Sequence, residues 1–118
     1  MDIKIGTIFT KEVYVTKDNV ASKFEADLPS VFSTPDMIAE MESACYHLLK
    51  KIIPEDMTSV GTHVNVSHEK GIVIGDLAII TAEVIEVDRK RITFAVKATC
   101  NEDMVGQGTH ERFIIAKK

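Results

Sequence analysis

Only one stretch of this sequence carries the periodicity of a long helix, and nearly everything after it alternates like strand. Met37, Ile38, Met41, Ala44, Cys45, Leu48, Leu49 and Ile52 recur at spacings of three and four, which lays them along one face. Thr34 is placed to cap this helix, Pro35 suits its first position, and Asp36 favours the positive end of its dipole. Pro54 stops it. Beyond it, Val60 to His68 alternates, with Val60, Val64 and Val66 expected on one face. Leu77 to Val87 is rich in β-branched residues, Ile92 to Cys100 alternates again, and Met104 to Ala116 closes the series. The four strands after the helix read as joined by short turns, with clear signals at Asp88 to Arg91 and Asn101 to Asp103, so they are expected to be antiparallel neighbours. Ahead of the helix, Ile3 to Thr16 reads as a strand broken near Gly6. Lys17 to Ser33, with Pro29, reads as a polar, irregular segment of the length that often forms a lid. A helix with one apolar stripe needs one sheet face to lie on. The expectation is an α+β fold: an antiparallel five-stranded sheet wrapped around one long central helix, in a single domain over residues 1–118.

Charge and composition narrow the function. The net charge of −4 argues against nucleic acid as a partner, because phosphate binding needs a broad cationic surface. No apolar run is long enough for a membrane helix, so no membrane partner is expected. The N-terminal residues alternate polar and apolar without the apolar core of a secretory leader. Cys45 and Cys100 make neither a disulfide framework nor a zinc set, and read as reduced core thiols of a cytoplasmic protein.

Four features break the structural pattern. Glu42 shares its helix face with Ile38, Cys45, Tyr46 and Leu49, so its carboxylate lies on or beside the apolar stripe. Glu40, flanked by Asp36, Ser43, Ala44 and His47, is expected on the solvent side and serves as the control. A carboxylate near a core is costly unless paired, which makes Glu42 a candidate base or nucleophile, or a stripe-edge residue reaching water. His68 falls on the face of Val64 and Val66, while His63 falls on the other, so the two do not share a metal and no metal site is expected. The Thr34 hydroxyl stands at a helix N-terminus, where an anion or a carbonyl oxygen can dock. The run Gly106-Gln107-Gly108-Thr109-His110-Glu111-Arg112 marks a bulge or a close approach of ligand or backbone, with Arg112 on the face of His110 and Ile114. It is no phosphate loop, since no Gly-Lys-Ser/Thr follows, and the chain has no Gly-x-Ser-x-Gly elbow. Arg89-Lys90-Arg91 reads as a solvated turn with enough charge for a ligand phosphate.

These residues together resemble the hotdog fold, and within it the fluoroacetyl-CoA thioesterase-like family. The resemblance rests on Val31-Phe32-Ser33-Thr34, on Met41-Glu42-Ser43-Ala44-Cys45, on Gly61-Thr62 through His68, and on the Gly106 to Arg112 run. It implies catalytic roles for Thr34, Glu42 and His68 and substrate contacts for Gly61 and Arg112. It also implies hydrolysis of a small acyl-CoA, a homodimer or higher homo-oligomer, and no cofactor beyond the coenzyme A of the substrate. Lys17 to Ser30 is polar where such an enzyme carries an aromatic, apolar lid, and Pro35 follows Thr34 where the family has glycine, so the acyl group stays open. His68 as base with Glu42 orienting it, and Glu42 as base or nucleophile with His68 polarising, are both compatible with the residues. A non-catalytic acyl-CoA binding module, a hotdog hydratase or dehydratase, and a purely structural dimer are the rival readings. Thr34 and Glu42 lie eight residues apart, about 12 Å of helical rise. Only a folded-back start, a long reach or two subunits brings them to one centre.

Overall fold

The computed structural model describes residues 2–118. The elements run β1 (Ile8–Tyr14), α1 (Thr34–Lys50), β2 (Met57–His68), β3 (Leu77–Asp88), β4 (Arg91–Cys100) and β5 (Asp103–Ala116), with a 3-10 turn at Ala21–Lys23 before the helix. The five strands form one antiparallel sheet in the order β1-β3-β4-β5-β2. The helix lies across its inner face and touches every strand. Met37, Met41, Ala44, Cys45, Leu48 and Leu49 are its buried residues. They pack on Ala78, Ile80, Ala82 and Val84 of β3, Ile92, Phe94, Val96 and Ala98 of β4, and Ile114 of β5. This is the five-stranded sheet around one helix that the sequence implies, the hotdog fold.

The hairpin between β4 and β5 is two residues long. Asn101 and Glu102 both hold positive φ (50° and 69°), as a type I′ turn requires. The glycines of the Gly106 to Arg112 run serve backbone packing. A Cβ at Gly108 would lie 2.0 Å from the Asn65 carbonyl oxygen, and one at Gly106 would lie 2.5 Å from the Met37 sulfur. The structure shows both a close approach of backbone and core at these glycines and a bulge at their start, where the β4–β5 register shifts between Ala98 and Thr99 and leaves Val105 as the extra residue beside Gly106.

Four expectations need correction. β2 is not a neighbour of β3 but leaves it to pair with β5. The helix cap is Ser33, whose Oγ accepts from the Asp36 N–H (3.0 Å); Thr34 is already the first helical residue. A bulge at Thr62 shifts the β2 register between Gly61 and His63. Val60 therefore pairs with exposed Phe113 and faces outward, whereas Val64 and Val66 pair with His110 and Gly108 and face the helix. Glu40 is no more exposed than Glu42. Lys11 of β1 reaches it (2.7 Å), leaving its side chain 30% exposed against 40% for Glu42, because the curved sheet covers both flanks of the helix.

The two sheet edges differ. β1 has seven residues and carries Lys11 and Glu12. β2 has twelve residues, with neither proline nor Asp, Glu, Lys or Arg, and exposes Val60 and Val64.

Candidate active site

Thr34 and His68 meet where the helix begins and β2 ends. The chain entering the helix is tied to the loop after β2. The Phe32 N–H donates to the Ile72 carbonyl (2.8 Å), and Val31 forms a bridge with Val73. That tether sets the first helical turn against the end of β2. Thr34 Oγ1 and His68 Nδ1 share a hydrogen bond of 2.7 Å, its direction set by the imidazole tautomer. His68 Nε2 is buried and has no hydrogen-bond partner among the described residues. Burial holds the His68 pKa below its ordinary 6.5; the Lys70 backbone pulls the other way without reaching hydrogen-bonding geometry. The imidazole is thus neutral at pH 7, beside an exposed hydroxyl at the positive end of a helix. The pair opens onto a surface cleft of about 280 Å³ walled by Phe32, Ser33, Lys70 and Gly71.

Glu42 belongs to a second cluster. Its Oε1 lies 3.8 Å from Arg112 Nη1. Arg112 reaches in from β5 with only 7% of its surface exposed. Its Nε donates to Ser59 Oγ (2.8 Å), its Nη2 to the Ser59 carbonyl (2.9 Å), and its Nη1 to His110 Nε2 (3.2 Å). The Tyr46 ring faces the guanidinium at 5.8 Å. Gly61 lies against this cluster. A Cβ there would stand 3.0 Å from Glu42 Oε1, 3.1 Å from His110 Cε1 and 3.4 Å from Arg112 Nη1, so only glycine leaves the gap open. Cys45 lies nearby, but burial pushes its thiol up to about 12, with Arg112 opposing and Glu42 adding, so it stays protonated and inert.

Five residues singled out in the sequence thus fall into two groups on the inner face: Thr34 with His68, and Glu42 with Gly61 and Arg112. Among the described residues no hydrogen bond joins the groups. Glu42 is two helical turns from Thr34, about 12 Å of rise, and Gly61 is roughly 20 Å of strand from His68. The start of the helix is not folded back. His110 and Ser59 complete the second group and were not singled out. The available signal was His110 alternating with Arg112 on a face that ends at Ile114. The cleft at Thr34 and His68 is not the roomiest hollow on the surface. The roomier hollows, about 420 Å³ over Thr81, Ala95 and Thr109 and about 400 Å³ beside Arg89 and Phe113, lie on the outer face of the sheet. Among the described residues no cluster of three or more His, Cys, Asp or Glu side chains is arranged to hold a metal.

A five-stranded antiparallel sheet around one helix, with two polar clusters on its inner face, defines a protein of the hotdog class. The family model for fluoroacetyl-CoA-specific thioesterases matches residues 15–118. The fluoroacetyl-CoA thioesterase of Streptantibioticus cattleyicolor is 34% identical over 90 residues, a match spanning 76% of this chain and 65% of that enzyme. The solved structure of the fluoroacetyl-CoA thioesterase FlK superposes with a TM-score of 0.92 at 29% identity, covering 98% of this chain and 90% of that one. A variant of that enzyme in complex with fluoroacetate and CoA superposes with a TM-score of 0.91 at 29% identity, covering 97% and 96%. The chain belongs to the fluoroacetyl-CoA-specific thioesterase family.

Proposed function

We propose that this protein hydrolyses a small acyl-CoA thioester to the free acid and coenzyme A. The observation that carries this reading is the 2.7 Å hydrogen bond between the Thr34 hydroxyl and a neutral His68, at the N-terminus of α1. Thr34 Oγ1 attacks the thioester carbonyl carbon as His68 Nδ1 takes its proton. The C–S bond breaks and the coenzyme A thiolate leaves with that proton. Water then attacks the acyl-threonine ester with His68 again as base, releasing the acid and restoring Thr34. A thiolate is a good leaving group, so the chemistry asks for no metal or cofactor beyond the coenzyme A of the substrate. The similarity to a fluoroacetyl-CoA thioesterase supports an acyl-CoA substrate with a short acyl chain.

The reading includes a homodimer. β2 is a long edge without the charges or proline that natural edges use to stay single. Two copies pairing through β2 about a two-fold at Asn65 would set Gly61 opposite His68 of the partner subunit, because the bulge at Thr62 adds one residue to a register whose opposed positions otherwise share one sum. Glu42 and Arg112 would then complete the site begun by Thr34 and His68 across the interface. Free, buried cysteines support a cytoplasmic location, and among the described residues no helix is long and apolar enough to cross a membrane.

The test is release of free thiol from a panel of short acyl-CoAs, fluoroacetyl-CoA included, by the unaltered protein and by Thr34→Ala. Turnover that the substitution abolishes is the expected result. Binding of acyl-CoA without thiol release would make the protein a binding module, and hydration of an enoyl-CoA without thiol release would make it a hydratase.

A further inference from the structure

His110 is the most thoroughly enclosed histidine, and the proposed reaction does not use it. It is 1% exposed and stacks on Phe94, with ring centroids 6.5 Å apart and planes inclined by 26°. Both of its nitrogens are engaged. Nδ1 lies 2.8 Å from the His63 carbonyl oxygen, which can only accept, so Nδ1 carries the proton. Nε2 lies 3.2 Å from Arg112 Nη1, which can only donate, so Nε2 carries a lone pair. The two ends dictate the same tautomer, and a second proton has no acceptor to go to.

The same contact matters for the guanidinium. Nε and Nη2 of Arg112 are spent on Ser59. Nη1 has two hydrogens, and His110 takes one of them. The other is the one left facing Glu42 Oε1 at 3.8 Å, across the space that Gly61 keeps open. We propose that His110 is a positioning residue for thioester hydrolysis: a constitutively neutral imidazole that fixes the roll of the Arg112 guanidinium and so aims its free Nη1 hydrogen at Glu42 and the gap beside Gly61. The proposal rests on the hydrolase reading for its catalytic consequence, and on geometry alone for the tautomer.

The surroundings hold His110 neutral. Burial is the largest influence and lowers its pKa below the ordinary 6.5. The His63 carbonyl pulls upward, Arg112 pushes down, and Glu42 on α1 and Glu111 on β5 pull weakly upward. The remaining groups around the pair, Cys45 and Tyr46 on α1, Ser59 on β2 and Phe94 on β4, bring no opposing cation. Protonation would turn Nε2 into a donor facing a donor, with two like charges in contact.

Two substitutions separate positioning from packing. His110→Gln keeps an amide oxygen where Nε2 stands and can still accept from Arg112. His110→Asn keeps a donor where Nδ1 stands and leaves Nη1 without its acceptor. The expected result is that His110→Gln stays within about threefold of the parent kcat, whereas His110→Asn loses at least about tenfold in kcat with a smaller change in KM. Equal activity of both variants, or equal losses, would overturn the positioning role. The direct measurement is imidazole ¹⁵N NMR of the full chain, with His110→Gln used for assignment. The expected pattern is a protonated Nδ1 and an unprotonated Nε2, unchanged from pH 8 to about pH 5.5. A proton on Nε2, or titration near the ordinary histidine value, would overturn the proposal whether or not thiol release is observed and whether or not His110→Asn folds.

Discussion

At one end of the β2 inner face, Thr34 and His68 share a single hydrogen bond, open onto a cleft, and leave His68 Nε2 without a partner. Toward the other end, Arg112 has Ser59 and His110 around it, and the His110 ring has no free nitrogen. The first arrangement can change its protonation state at little structural cost. The second cannot, because both imidazole nitrogens are engaged and Ser59 holds Arg112 through Nε and Nη2, and each contact broken would cost about 1–3 kcal/mol. The difference teaches how the proposed mechanism would divide the labour: protons would move at the loosely held pair, while the tightly held one keeps a positive charge beside Glu42.

The comparison is broken most severely by removing the loose pair. His68→Ala and Thr34→Ala should each lower kcat by roughly 10²–10⁴-fold with little change in the urea midpoint, because neither side chain braces the core. A large stability loss with unchanged turnover would reverse the assignment. Arg112→Met should do the opposite. It strips the Ser59 carbonyl and His110 Nε2 of their donor, so unfolding in urea should come about 1–3 kcal/mol earlier, alongside reduced turnover. Gly61→Ala places a methyl 3.0 Å from Glu42 Oε1 and 3.1 Å from His110 Cε1, so the flexible carboxylate must give way. A fall in kcat of about tenfold, with folding preserved, is expected.

The smallest effects come from pH, and they have one sign. His68 has a depressed pKa, so its base form is complete at pH 7 and kcat/KM should fall only as pH drops below the ordinary 6.5. A rate flat down to pH 5 would remove His68 as the base. Stability follows the same direction. His68 and His110 bind protons less readily folded than unfolded, so the stability they contribute is complete above pH 6.5 and is lost as pH falls toward the folded values. His110→Gln should flatten part of that acid decline in the urea midpoint.

Sequence periodicity was enough for the helix, the number of strands and their succession along the chain, and the inward lean of His68, because each depends on a repeat of 3.6 or 2 that survives small irregularities; it did not show that β2 leaves β3 to pair with β5. It failed where a single residue changes the count. The bulge at Thr62 turns Val60 to the outer face, and nothing in Gly61-Thr62-His63 distinguishes a bulge from regular strand. Ser33 and Thr34 are equally good caps on paper; the backbone settles on Ser33, whose Oγ reaches Asp36. Glu40 looked like the solvent-side control, but only the curl of β1 brings Lys11 over it. The grouping of Thr34 with His68, and of Glu42 with Arg112, depends on contacts 34 and 70 positions apart along the chain, which no local pattern encodes. In the sequence His110 stands out only as a member of the Gly106 to Arg112 run that shares a face with Arg112. In the structure it is satisfied, and the partner that satisfies it is what gives it a role.

The most direct measurement is complementation between inactive protomers. Glu42→Gln and His68→Ala variants, each inactive by itself, are unfolded together, refolded as a mixture, and assayed for thiol release. If each site draws Glu42 from one subunit and His68 from the other, half of the dimers hold one intact site, and activity should recover to about a quarter of the parent value. No recovery, from a mixture shown by mass to contain the mixed dimer, would contradict a site shared across the β2 edges.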